Sequence, residues 1–373
     1  MAKSINIYKS ISDYKDGYDD RKNISLSLII DDEEEEIVDS HVKSGFITFT
    51  AEEAGSTIGL AKLSTYQLLE YTTDQVVNPS AMCYPVWKKM DVDTIITLVN
   101  AGDMVHFRGI LSGDNYSSNY TQFKMTGKIS SSGNCNSLWN CNDLNAPLKE
   151  YCGNNMFSGC TSLTTAPELP ATTLAERCYY YMFSGCTSLT TAPELPATTL
   201  AGSCYNGMFQ SCTSLTQAPD LPATTLVGGC YRGMFEYCIS LTTVPSILPA
   251  TTLASWCYSN MFSYCTILTT APNLPATTLT SHCYYYMFSG CTSLTTVPDL
   301  PATTLADSCY NGMFYGCSNL NYLKCLATDI TATKCTYNWV SGVSSTGTFI
   351  KESGVEWTTG NSGIPSGWIV EEV

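Results

Sequence analysis

The sequence predicts an α+β chain in which a β-sandwich-like domain precedes a solenoid of 26-residue units, and three observations carry that expectation. One cysteine column runs Cys152, Cys178, Cys204, Cys230, Cys257, Cys283, Cys309, Cys335, and a second follows at Cys160, Cys186, Cys212, Cys238, Cys265, Cys291 and Cys317. The run "CYYYMFSGCTSLTTAPELPATTLA" from Cys178 returns in close copies, and one insertion near Ile247 stretches a single unit to 27 residues. Ahead of the array the period is lost and short strand-like runs take over. Fixed self-similarity of this length marks a solenoid, because each unit cannot bury its own apolar face and stacks on its neighbours instead.

Composition narrows the function classes. Of 373 residues only 14% are charged, and the net charge is −15. Neutralising phosphates needs clustered Lys and Arg, so no nucleic-acid partner is expected. No stretch approaches the roughly 18 to 20 apolar residues of a membrane helix, so no membrane insertion is expected either.

The first segment, 1–44, is an acidic N-terminal arm. Its "DDEEEEIVD" from Asp31 reads as a solvated run beside the alternating "NISLSLII". "DDEEEE" lacks the spaced ligands and turn glycine of a calcium loop. The functional alternative is an arm that docks into another subunit, such as a virion protein. The opening "MAKSINIYKSISDYKDGYDD" lacks the apolar core of a secretory signal peptide.

Residues 45–132 hold "FITFTAEE", "LLEYTTD", "TIITLV", "DMVHFRGIL" and "TQFKMTGKIS", short runs with partial alternation that predict a β-sandwich-like domain. Residues 133–151, "GNCNSLWNCNDLNAPLKEY", are a linker that caps the first coil. Spacing alone does not decide whether Cys135 and Cys141 bridge.

In the solenoid, 152–335, Cys178, Met182 and Cys186 fall on one side of a short helix or helical turn, with Phe183 beside them. Leu189, Ala192, Leu195 and Leu200 continue the inward set through a short strand around "SLTTA" and an irregular arm punctuated by Pro193 and Pro196. Eight residues of helix would separate the paired cysteines by about 12 Å, too far for a disulfide. Within one column, stacked cysteines meet the distance criterion, but their parallel vectors oppose the required torsion. Zinc is not expected, as there is no C-x-x-C pair and the histidines, His41, His106 and His282, are scattered. The columns therefore read as reduced, buried, small apolar filler. Thr190-Thr191 and Thr198-Thr199 recur in register as a solvated ladder. Ice binding would need alternate threonines on one face, whereas adjacent ones point oppositely.

Residues 336–373 are read as a C-terminal β cap, with Trp339, Phe349, Trp357 and Trp368 covering the last coil and "TGTFIK" paired with "GWIVEE" as a hairpin.

Met182-Phe183, Gly185-Cys186, Ser188-Leu189 and Ala192-Pro193 follow one another in an order that resembles the BspA-type, or Treponema pallidum-type, leucine-rich repeats. The likeness covers about 150–335. "FEYCIS" and "FSYCTIL" depart by placing Tyr237 and Tyr264 where the pattern has Gly. The resemblance implies a leucine-rich-repeat solenoid displayed at a microbial surface as an adhesin or recognition module without catalysis. The wording "CTSLTTAPELPATTL" is also similar to proteins of gut Bacteroidales and their phages and prophages. The expected function is surface recognition of a glycan or protein on a bacterial or host surface; the alternative is a phage virion structural protein anchored through its N-terminal region.

Variation between copies points to the ligand-facing residues. Inward positions barely change, while the three residues after the first cysteine read "GNN", "YYY", "YNG", "YRG", "YSN", "YYY" and "YNG". The candidates are Tyr180, Tyr181, Arg232, Glu236, Tyr237, Trp256, Tyr264, His282, Tyr285, Tyr286 and Tyr315, rigid aromatic area with polar tips and a few charges. The first tyrosine after each cysteine, Tyr179 and its equivalents, reads as packing. Glu168, Glu194, Asp220 and Asp299 form a second column, read first as a solvated edge and second as a row that draws cations or a basic partner. No residue set has catalytic spacing and the glycines form no phosphate loop, so no enzyme activity, cofactor or metal is expected.

Overall fold

The computed structural model describes residues 45–64, 67–73, 86–111, 119–141 and 143–373. The expected docking arm, 1–44, lies outside them. Eight strands come first: β1 (Ile47–Ala51), β2 (Ser56–Lys62), β3 (Leu68–Thr72), β4 (Lys88–Lys89), β5 (Ile95–Leu98), β6 (Met104–Ile110), β7 (Gln122–Thr126) and β8 (Ile129–Ser132). They form two antiparallel sheets, ordered β4-β3-β6-β1-β8 and β5-β2-β7. Alternation drives this arrangement: in β6 Val105, Phe107 and Gly109 sit on the opposite face from Met104, His106 and Arg108, and Val105 and Phe107 are fully buried. The inner faces meet through Phe49, Phe107 and Phe123, whose ring centroids lie 5.3–5.6 Å apart.

The sheets run into the solenoid without a gap. The Phe123 N–H donates to the Met156 carbonyl at 2.8 Å and the Ile129 N–H to that of Ser162 at 2.9 Å, so β7 and β8 lie on the first coil as coils lie on each other. A 3-10 turn at Cys135–Leu138, capped by the Asn134 side chain, follows. The next residue, Trp139, stacks against Tyr179. Cys135 and Cys141 are both free thiols, as are all the described cysteines.

The helical turn expected around Cys178–Cys186 does not form. Among the described residues the one helical element is that 3-10 turn, so the architecture is built of strands and turns and its expected α component is replaced by turns. Local geometry explains the difference. Arg177, Tyr179, Tyr181 and Gly185 have positive φ, which breaks any run of i→i−4 bonds. The even residues bond backward by three, as in Met182 to Tyr179 and Cys186 to Phe183. Tyr181, Phe183 and Gly185 instead donate across to Asn206, Met208 and Gln210 of the next coil at 2.7–2.9 Å. The predicted inward set nevertheless holds at Cys178, Met182, Phe183 and Cys186, which are fully buried, and at Leu189, Leu195 and Leu200, while Ala192 is only partly buried.

The strand expected at "SLTTA" shrinks to isolated parallel bridges such as Thr165 with Thr191 and Thr270 with Thr296. Pro193 lacks an N–H, so the ladder stops after one rung. At the far end β9 (Tyr322–Cys325), β10 (Thr348–Lys351) and β11 (Ile369–Glu372) pair in the order β11-β10-β9. All of these pairs are parallel, which overturns the expected hairpin. About seventeen residues lie between β10 and β11, room for a coil-like crossover rather than a tight turn, and the stack simply continues. Trp339, Phe349 and Trp368 are buried there, while Trp357 packs against the core partly covered.

Candidate functional site

Each coil turns through positions that take the left-handed backbone. One lies just before the first cysteine and holds Tyr151, Arg177, Ser203, Gly229, Trp256, His282, Ser308 and Lys334. A second, three residues after the cysteine, holds Asn155, Tyr181, Gly207, Gly233, Asn260, Tyr286, Gly312 and Asn338. A third, just before the second cysteine, holds Gly159, Gly185, Ser211, Tyr237, Tyr264, Gly290 and Gly316, and Gly342 takes the same register place before Val343. All of these have φ between 51° and 79°. A Cβ at such a φ strains the backbone, which is why Gly and Asn recur there.

None of the eleven candidate residues is buried. Arg232, Tyr237, Tyr264 and Tyr315 are exposed; Tyr180, Tyr181, Glu236, Trp256, His282, Tyr285 and Tyr286 are half-buried. Tyr179, Tyr205, Tyr231, Tyr258, Tyr284 and Tyr310 are buried in the core, as the packing reading expects.

Most candidates come together. The Arg232 guanidinium lies 5.1 Å from the Trp256 ring, whose other stacking neighbour is His282 at 3.9 Å with an interplanar angle of 15°. Tyr285 leans on both Trp256 and His282, then on Tyr286, which reaches Tyr315. Tyr237 and Tyr264 stack on one another at 4.7 Å. Tyr180 and Tyr181 form a separate pair at 4.6 Å. The Gln210 amide donates to the Glu236 carboxylate at 2.6 Å, bracing it beside the same turns.

Electrostatics tie the groups further. Burial pushes the Tyr181 phenol up, with Tyr180 and then Glu236 acting in the same direction and Arg232 opposing. Burial raises the Glu236 carboxyl, against the Gln210 hydrogen bond and Arg232. Burial lowers the His282 imidazole and Asp307 opposes it, while Nδ1 sits 2.6 Å from the Ser281 hydroxyl. Burial raises the Tyr286 phenol, reinforced by Tyr285, Tyr315, Tyr337 and Tyr264.

Sequence reasoning missed Tyr337, which is exposed, has Lys334 over its ring at 6.0 Å and joins the same edge. It also missed Tyr151, whose phenol oxygen accepts from the guanidinium of Arg177, one of the variable residues before the first cysteine, at 2.8 Å. The signal was in the register: Tyr337 stands 26 residues after Asn311, but 336–373 was read as a cap. Among the described residues no group of three or more His, Cys, Asp or Glu is placed to hold a metal, and no helix is long and apolar enough to cross a membrane.

A family model of the BspA type leucine rich repeat region matches residues 128–269 and 230–337 in six copies. The overlapping matches run from 128 to 337, more than half of the 373 residues. No curated protein and no solved structure matches the chain.

Proposed function

The chain belongs to the BspA-type leucine-rich repeat family, and from that premise we propose that it is a non-enzymatic recognition protein whose tyrosine-rich turns bind a protein on a cell surface. The observation that carries this reading is the backbone under the aromatics. Tyr181 and Tyr286 sit at positive φ where sibling coils place Gly207, Gly233 and Gly312, Tyr237 and Tyr264 where they place Gly185 and Gly290, and Trp256 and His282 where one places Gly229. A bulky residue there costs about 1–2 kcal/mol relative to glycine. At Tyr179 and Tyr205 the same strain is offset by full burial of the ring; at the exposed and half-buried edge it is not, and strain of that kind clusters where the side chain serves something other than stability.

A protein ligand fits better than a stacked sugar. Arg232 and His282 occupy the neighbourhood of the Trp256 faces, and Tyr237 and Tyr264 cover one another, so the edge offers ring rims and hydroxyls. Such rims suit a polar, well-packed protein contact.

The test pairs stability with adhesion. Tyr264→Gly with Tyr286→Gly installs the residue that sibling coils carry, and unfolding free energy should stay within about 1 kcal/mol of the parent because relieved strain offsets lost ring packing. Adhesion of the labelled full chain to intact bacterial and mammalian cells should fall about tenfold. It should also vanish when the cells are treated with protease and survive periodate. Adhesion unchanged by the substitutions sinks the edge as the site, and loss with periodate alone replaces the protein ligand by a glycan.

A further inference from the structure

Two stretches of the tyrosine edge repeat one another four coils apart. In the first and second coils Tyr151 and Arg177 stand just before the first cysteine, and Tyr180 and Tyr181 stand two and three residues after it. In the fifth and sixth coils Trp256, His282, Tyr285 and Tyr286 hold the same places. The match extends to the backbone. Tyr151 and Trp256 have φ of 61° and 64°, Arg177 and His282 of 54° and 59°, and Tyr181 and Tyr286 of 51° each. All eight side chains are half-buried.

The packing within each set matches too. The Arg177 guanidinium lies over the Tyr151 ring at 5.2 Å, and the His282 ring stacks on Trp256 at 3.9 Å. An arginine and a histidine both lay a flat, nitrogen-bearing plane on the ring and both carry N–H groups. Tyr180 leans on Tyr181 at 4.6 Å and Tyr285 on Tyr286 at 4.7 Å. The second tyrosine of each pair is braced by the coil that follows. Its N–H donates to the Asn206 or Asn311 carbonyl at 2.9 Å, and a Cβ added to Gly207 or Gly312 would run into the Tyr181 or Tyr286 ring.

The third and fourth coils separate the two sets. They carry Ser203 and Gly229 before the cysteine, then Asn206-Gly207 and Arg232-Gly233 after it, so no ring stands at any of these places. Arg232 itself turns towards the second set and lies over Trp256. Stacking does not require the recurrence, because Phe209 packs 5.6 Å from both Phe183 and Phe235 while its own coil and the next bear small residues on the edge. Coils about 4.8 Å apart put the sets roughly 19 Å from one another on one stack.

From this we infer that the edge is bivalent: the two sets are equivalent sites, and together they hold a partner protein that presents the same surface twice, as a dimer or a repeat does. This rests on the reading of the tyrosine edge as the binding surface. With both sites fixed on one stack, capture by one keeps the other at high effective concentration, so the avidity exceeds the affinity of either site by about 10²–10⁴.

The experiment measures adhesion of the labelled full chain to intact bacterial and mammalian cells. Tyr180→Asn with Tyr181→Gly gives the second coil the residues of the third, and Tyr285→Asn with Tyr286→Gly gives the sixth those of the seventh, so each variant keeps a wording that the stack already folds. Either pair of changes should weaken adhesion about a hundredfold, the two agreeing within about threefold, and all four together should abolish it. Protease treatment graded to leave about a tenth of the saturable sites should then bring the parent within about twofold of either variant, because an isolated copy is held only once. A ratio of parent to variant that this thinning leaves unchanged means one continuous footprint and overturns the proposal. Parent-like adhesion by either two-residue variant overturns it as well, and in both cases the edge still stands as the binding surface. Parent-like adhesion by the fourfold variant removes the edge itself, and the two sites with it.

Discussion

Cysteine fills two inward columns of this stack, and its chemistry explains the choice. The second column is fully buried, and each thiol also donates to a carbonyl of the preceding coil: Cys212 to Phe183, Cys238 to Phe209 and Cys291 to Phe262, all at 3.1 Å. A small apolar side chain with one weak donor meets both demands at once. Burial pushes the thiols of Cys160, Cys238 and Cys317 up to about 12, from an ordinary value of 9.0. The folded chain therefore holds these protons more tightly than the unfolded chain. Their stabilising contribution is complete below pH 9 and is lost as the pH climbs towards 12. Denaturant unfolding under reducing conditions should give a nearly constant free energy from pH 6 to 8. Above pH 9 each such thiol should remove about 1.4 kcal/mol per pH unit. A midpoint unchanged between pH 8 and 10.5 contradicts the buried-thiol reading.

At the scale of the element, the coil is held by what it stacks. Phe209 lies between Phe183 and Phe235, both at 5.6 Å and nearly parallel, and it is fully buried. Phe209→Ala removes two ring contacts and opens a cavity, so urea unfolding should show a loss of about 3–5 kcal/mol with the far-ultraviolet dichroism little changed. A loss under 1 kcal/mol would mean that neighbouring coils close over the gap. The inward identity of Phe209, Met208 and the cysteines was legible because copies agree at those places. The turn conformation was not, since Met182, Phe183 and Cys186 fit a helical face as well as they fit a chain of turns. Asn155, Gly207, Gly233, Asn260, Gly312 and Asn338, at one register position where only Tyr181 and Tyr286 depart, carried the missing signal, because a residue that favours positive φ in most coils argues against helix. Parallel pairing of β10 and β11 was hidden because alternation within a strand does not encode the direction of its neighbour. Variation between copies singled out the edge residues, but the positive φ of Tyr181, Tyr237, Trp256, Tyr264, His282 and Tyr286 had to be read from the backbone.

For the molecule beyond the first sheets, two aromatic ladders run side by side through the core. Phe123, Phe157, Phe183, Phe209, Phe235, Phe262, Phe288 and Phe314 form one; Trp139, Tyr179, Tyr205, Tyr231, Tyr258, Tyr284 and Tyr310 form the other. Both end on Trp339, which lies 6.3 Å from Phe314 and 6.1 Å from Tyr310. Its indole N–H donates to the Gly363 carbonyl at 2.8 Å and its ring stacks on Trp357 at 5.5 Å. One side chain thus joins both ladders to the coils of β10 and β11. In a solenoid each coil depends on its neighbours, so damage at an end spreads inward only as far as the coupling carries it. Trp339→Ala should free the amides of β9, β10 and β11 to exchange at close to unprotected rates, while those around Phe209 and Met234 keep their protection. Loss of protection along the whole chain would mean that the stack melts as one unit, and no loss at all would mean that Trp339 is not the joint. The first outcome has a consequence for recognition. The edge from Tyr237 to Tyr286 lies two to four coils before Trp339 in the stack, so it should keep its geometry, and with it the adhesion we propose, when the C-terminal coils are loosened, whereas Tyr315 and Tyr337, one coil away and on the same coil, should lose their geometry.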